Sequence, residues 1–156
     1  MKLAPLSLFP ESALSHSLAA GSFDADGLYC EVAVLRFTGR YRDGSRGNPD
    51  ADYMGVVAAA ALARATPDVL VLDLRALDYR WGNSILGVFV DVAEADREYP
   101  VGLVLATSPR CRPALATLLG LDPRAEPGPE DLLQDGLEAA LTRARGLALA
   151  RARAIG

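Results

Sequence analysis

The stretch Asp68–Leu74, DVLVLDL, constrains this chain more than any other. Between its two acids every residue is apolar and nothing alternates. A strand with one face in water alternates apolar and polar residues, whereas a strand that is apolar throughout is covered on both faces. Cover on both faces requires layers above and below a sheet, which implies an α/β architecture with largely parallel strands.

The neighbouring patterns agree with that. LYCEVAVLRFTG (Leu28–Gly39) is β-branched and aromatic and closes on a glycine, as a strand does. The turn-rich RYRDGSRGNPD follows, with Arg40, Arg42 and Arg46 expected in a solvated loop. Asp50 or Asp52 is placed to cap a helix through YMGVVAAAALARA, which stops before Thr66-Pro67 because proline disfavours helix at the residue preceding it. The central strand is expected to end at Asp73-Leu74. A polar and aromatic connection, Asp78–Ser84, then leads to the apolar helix ILGVFVDVAEADREY, with Asn83 or Ser84 as its cap. Pro100 resets the chain into the strand VGLVLA. Ser108-Pro109 opens a short helix with Pro113 in its first turn and Gly120 at its C-terminal cap. After the proline-rich LDPRAEPGPED comes a brief strand at LL, and Asp135 is placed to cap the last helix. In that helix Leu137, Leu141, Ala144 and Ala148 form an apolar stripe, and Arg143, Arg145, Arg151 and Arg153 a solvated face.

The predicted fold is therefore a single α/β domain over residues 28–156, a mixed, mostly parallel sheet of four or five strands packed with four helices. Residues 1–27 are rich in Ser, Ala, Pro and Gly and are expected to be irregular, with LSLF (Leu6–Phe9) as a candidate edge strand.

Several functions find no support. The net charge of −4 gives no electrostatic reason to bind nucleic acid. No apolar run reaches the ~18 residues that would cross a bilayer, and Pro5, Pro10 and Glu11 interrupt the only stretch suggestive of a secretion signal. A cytoplasmic protein is expected, with Cys30 and Cys111 as unpaired thiols. Arg110 and Arg112 flank Cys111 and would lower its pKa if they lay close to the sulfur. There is no glycine-rich nucleotide loop, Walker lysine or Cys/His metal spacing, so neither cofactor nor metal is expected. His16, the only histidine, has no visible acid/base companion. Asp73, Asp78, Asp91 and Glu94 could converge as acid/base groups only if the fold gathered them. No catalytic residue is assigned.

The order of elements, with Gly39, Asp73-Leu74 and Gly120, resembles the STAS domain, the fold of bacterial anti-sigma factor antagonists. The resemblance runs from about Cys30 to Arg143, through VAVLRFTGRY, VLVLDLRALDYRWGNSILGVFVDV, VGLVLATSPRCRPALATLLGLD and LLQDGLEAAL. It implies a regulatory module that binds a protein partner, such as an anti-sigma factor-like kinase, and is switched by phosphorylation of the second serine in an Asp-Ser-Ser-Gly connection. With one extra residue in the connection, Gly82 takes the acidic position, Asn83 the first serine and Ser84 the phosphorylated one, while Ile85 replaces the glycine. Without the extra residue Asn83 falls on the phosphosite. Physically, a phosphate at Ser84 would add about −1.5 to −2 charges at a helix N-terminus, but Ser84 or Asn83 could equally serve only as a cap.

Tyr79 and Trp81 are more often loop anchors packed on their own domain than contacts, but Tyr79, Arg80 and Trp81 also supply the residue types favoured as interface anchors. The partner-binding set is thus Tyr79, Arg80, Trp81, Asn83, Ser84 and Leu86, with Ser84 the candidate phosphosite. A homodimer is compatible with this reading. Two alternatives are a small crotonase/ClpP-like enzyme with an oxyanion-type loop and a STAS-like protein whose partner is unrelated to sigma regulation, such as a toxin.

Overall fold

The structure is a computed structural model and describes residues 1–156. The strands are β1 (Ser15–Ala25), β2 (Leu28–Arg40), β3 (Val69–Asp78), β4 (Gly102–Thr107) and β5 (Leu133–Asp135). The helices are α1 (Asn48–Ala65), α2 (Ile85–Ala93), α3 (Arg112–Leu118) and α4 (Gly136–Ile155), with a short 3-10 turn over Gly44–Gly47. All five strands form one sheet in chain order, β1 antiparallel to β2 and each later neighbour parallel.

The apolar run at Val69–Leu72 is central and fully buried. Its alternate residues divide between two cores. Leu70, Leu72 and Leu74 join Leu35, Phe37 and Leu105 under α1, α2 and α3, whereas Val69 and Val71 join Val104 and Ala106 under α4. Each such fully buried large side chain is worth on the order of 1.5–3 kcal/mol. Helix α4 meets the sheet through Ala140, Ala144 and Ala148, whose small side chains allow close approach. At Gly102 an added Cβ would lie 2.8 Å from Val69 Cγ2, too close for any other residue without a shift.

The structure departs from the sequence expectations in several places. The edge strand is β1, not Leu6–Phe9, which is irregular. β1 carries small and polar residues because almost all of it is exposed, so it lacks the apolar pattern that marks a core strand. β3 does not end at Asp73-Leu74. A register shift opposite Arg36–Thr38 adds a residue, and Ala76–Asp78 then pair with Thr38–Arg40. Helix α1 begins at Asn48 behind Gly47, so Asp50 lies inside its first turn rather than at its cap. It ends as expected, with Thr66 at a left-handed φ of 43°.

Of the α4 arginines, Arg145 and Arg153 remain exposed as expected, while Arg151 is a part-buried tie. Arg151 bonds Asp68 at 2.7 Å and Asp96 at 3.4 Å, Arg145 lies 4.3 Å over the Phe23 ring, and Arg153 pairs with Asp26. Asp96, holding the Glu98 and Tyr99 amides, turns the chain soon after α2 ends at Ala93, well short of the predicted length. No helix is long and apolar enough to cross a membrane.

Candidate functional site

The connection between β3 and α2 lies at the carboxyl ends of the parallel strands, where open α/β sheets place their ligands. Tyr79 anchors it from inside. The side chain is 1% exposed, its hydroxyl donates to the Gly82 carbonyl at 2.7 Å, and its ring meets Tyr41 edge-on at 5.2 Å between centroids. Burial pushes both phenols up to about 12. The Tyr41 hydroxyl is buried without a partner, the Ile85 amide approaching it outside hydrogen-bond geometry. Tyr79 is therefore a buried anchor of the loop and is not presented at the surface, contrary to its place in the expected partner-binding set. The physical reason is that the strand, extended by its extra residue to Asp78, turns the next side chain inward.

Trp81 points the other way and is 62% exposed. Its carbonyl accepts from the Gly44 amide at 3.2 Å, and its ring covers Gly44, where a Cβ would lie 2.5 Å from the indole Cη2. Gly44 also has a φ of +58°, a left-handed backbone that a side chain would strain. One face of the indole thus rests on the 3-10 turn. Beyond it an open groove of about 650 Å³ runs to α3, lined by Arg80, Asn83, Pro113, Thr117, Leu118 and Pro123 among others.

Ser84 occupies the N-cap position of α2, but neither it nor Asn83 caps the helix with its side chain. The Ser84 hydroxyl donates instead to Asn48 Oδ1 at 2.5 Å, and Asn48 is the first residue of α1. Ser84 thereby sits between the N-termini of α1 and α2. Asn83 contributes its carbonyl, which accepts from the Leu86 amide at 3.1 Å. Arg80, Asn83 and Ser84 are exposed and Leu86 is half-buried against the core.

The acids predicted as a loose group do not converge. Asp73 is buried under Arg75, 2.8 Å away, and Arg36, 3.1 Å away. Burial alone would raise its pKa, but the hydrogen bonds from Arg75 and the nearby charges hold the carboxyl below its ordinary range. Asp91 and Glu94 are exposed on and just after α2. Asp78 meets only Arg80, at 3.9 Å.

Cys111 is fully buried, and its thiol donates to the Leu74 carbonyl at 3.2 Å. Burial pushes the thiol up, against the expectation drawn from its arginine neighbours: Arg110 is exposed and Arg112 pairs with Asp135 at 2.8 Å, while the sulfur faces the core. His16 does have a companion: its Nδ1 lies 2.6 Å from the Tyr53 hydroxyl.

One supporting group was missed in the sequence. Asp50 accepts from the Arg42 amide at 2.9 Å, the Arg42 guanidinium at 3.1 Å and the Ser12 hydroxyl at 2.6 Å. Its burial raises the pKa, but these bonds outweigh that and hold the carboxyl low. They tie the N-terminal segment and the 40–47 turn to α1, and so fix the turn on which Trp81 rests. An acid three residues before an apolar helical run was the available signal, and it reads equally well as a cap.

No protein-family model matches the chain, and no curated protein matches it. Among solved structures it is similar to an anti-sigma factor antagonist from Mycobacterium paratuberculosis, at 25% identity over 83% of this chain and 95% of that one, with a TM-score of 0.50. The fold is STAS-like. The crotonase/ClpP-like alternative therefore falls at the level of fold.

Proposed function

We propose that this chain is a protein-binding module acting in the manner of an anti-sigma factor antagonist. The partner docks on the indole of Trp81, on Arg80 and Asn83, and on the exposed side of α2. The observation that carries this reading is the exposed Trp81, held by the buried Tyr79 and the Gly44 turn at the carboxyl end of β3, in a fold similar to that antagonist's. An exposed indole on a rigid base beside an arginine and an open groove suits an interface hot spot, because little side-chain freedom remains to be lost on binding.

Ser84 is the point of control. Its hydroxyl is exposed, and its bond to Asn48 joins α1 to α2. A phosphate there would break that bond and place about −1.5 to −2 charges beside the docking surface, while the two helix N-termini favour the anion. Any partner that meets this surface with apolar or acidic groups would then be released. A kinase that both binds and modifies the loop would be such a partner.

The test is affinity capture from the native host with wild type, Ser84→Ala and Ser84→Asp, intact mass being read on the same material. Capture by wild type and Ser84→Ala but not by Ser84→Asp supports the switch. Equal capture by all three removes it and leaves a constitutive module, the behaviour expected of a STAS-like protein that holds a toxin.

A further inference from the structure

We infer that the free edge of β1 is a self-association surface, on which a second copy of this chain pairs its own β1 antiparallel about a two-fold axis at Ala20. β1 is an eleven-residue edge strand in unbroken register with β2. No backbone hydrogen bond beyond that pairing involves it, and its only side-chain bond joins His16 to Tyr53. Its outward N–H and C=O groups therefore have no partner within the chain.

Monomeric proteins blunt such an edge with lysine, proline, a bulge or a covering loop. The sequence SHSLAAGSFDA has neither lysine nor proline, its pairing shows no bulge, and most of its side chains are small. Beside it, on the α4 face, lies an open trough of about 380 Å³ floored by Ala19, Gly21, Phe23, Val32 and Val34 and walled by Leu141. The edge is thus left without cover, and the floor is covered only at Phe23, by Arg145.

Charge selects the second copy as the occupant. In an antiparallel pair centred on Ala20, residues whose numbers sum to forty stand opposite one another. His16 then faces Asp24 of the second copy, and Asp24 faces its His16. These are the only titratable residues of the strand, both exposed and both on the α1 side of the sheet, since they are an even number of residues apart. In the tautomer that accepts from Tyr53 at Nδ1, His16 Nε2 carries the hydrogen and is free to donate to that carboxylate. Opposed residues in an antiparallel pair have Cβ atoms about 4.5–5.5 Å apart, within reach of that contact. At the centre Ala19 and Gly21 face Gly21 and Ala19, so nothing bulky holds the strands apart.

The two-fold runs perpendicular to the sheet, so both copies place α4 on the same side and the two troughs merge into one. β3 of one copy runs antiparallel to β3 of the other, which sends the two Trp81 loops to opposite ends of the joint sheet. A dimer of this kind leaves both loops free and can hold two partners, and its failure would say nothing about the loop.

Sedimentation velocity on the full chain, from low micromolar to submillimolar concentration, tests the pairing. The wild type is expected to pass from 16.5 kDa to about twice that mass. Ala20→Lys, an exposed position where two lysines would meet at the axis, is expected to stay monomeric with an unchanged circular dichroism spectrum. His16→Asp should also stay monomeric, because it opposes carboxylates twice, and the exchange His16→Asp with Asp24→His should restore the dimer. A wild type that remains at 16.5 kDa throughout overturns the proposal, as does a dimer that survives Ala20→Lys. A dimer lost in His16→Asp but not regained in the exchanged variant overturns the Ala20-centred register.

Discussion

Gly44→Ala isolates the support beneath Trp81. The residue has a φ of +58°, and an alanine there carries a left-handed backbone cost of roughly 1–2 kcal/mol. Its Cβ would stand 2.5 Å from indole Cη2 and 2.9 Å from Cζ3, against an ordinary contact of about 3.5–4.0 Å. The ring has to move outward by about 1 Å or more. Since Trp81 is already 62% exposed, the burial it loses adds only about 1 kcal/mol. The total destabilisation is about 2–3 kcal/mol, read by urea unfolding. Trp81 is the only tryptophan, so native-state acrylamide quenching reports this ring alone and should rise. Followed by circular dichroism in a Trp81→Ala background, the same substitution should cost only the backbone part, about 1–2 kcal/mol. Unchanged quenching in Gly44→Ala, or an equal cost in both backgrounds, would refute the claim that this turn seats the indole.

Tyr79→Phe removes the donor to the Gly82 carbonyl and should cost about 1–2 kcal/mol, whereas Tyr41→Phe removes a buried hydroxyl that has no partner and should be neutral or slightly stabilising, both read by urea midpoints. Asp50 and Asp73 both have folded pKa values below the ordinary 3.8, so the stability they contribute is complete above the unfolded value and drains away as pH falls from about 4 through the folded values. Asp50→Asn should cost about 1–3 kcal/mol at neutral pH and flatten the acid limb of a stability–pH curve; an unaltered limb would count against the Arg42 network. Both thiols are buried and raised in pKa, so a thiol reagent at pH 8 should label neither in the native protein and both in guanidinium; fast native labelling of Cys111 would contradict its placement.

The parts of this fold that could be read in the sequence are those where burial and periodicity coincide. Val69–Leu72 is a short, β-branched apolar run of the kind a doubly covered strand carries, and Thr66-Pro67 and Gly120 mark helix ends by backbone chemistry alone. β1 escaped because an exposed edge strand needs no apolar alternation, and its Ser, Ala, Gly and Asp residues suit a helix or a turn equally well. The register shift that carries β3 on to Asp78 depends on the neighbouring strand, and no local pattern encodes it.

At the connection, the exposure of Arg80, Asn83 and Ser84 was foreseeable from polarity and position, but the division of labour between its aromatics was not. Tyr79 and Trp81 are two residues apart in one loop. One is buried and the other exposed because of Tyr41 and Gly44, which lie far away in sequence. Ser84 fits every local rule for a cap, yet its hydroxyl turns to Asn48 of another helix.

The central claim is that Trp81 anchors a protein partner. It is tested most directly by the affinity of the captured partner for wild type and for Trp81→Ala, measured by titration calorimetry alongside urea unfolding of both proteins. A hot spot of at least about 2 kcal/mol predicts affinity weaker by roughly 30-fold or more, with the domain still folded. Equal affinity for the two proteins would contradict the account.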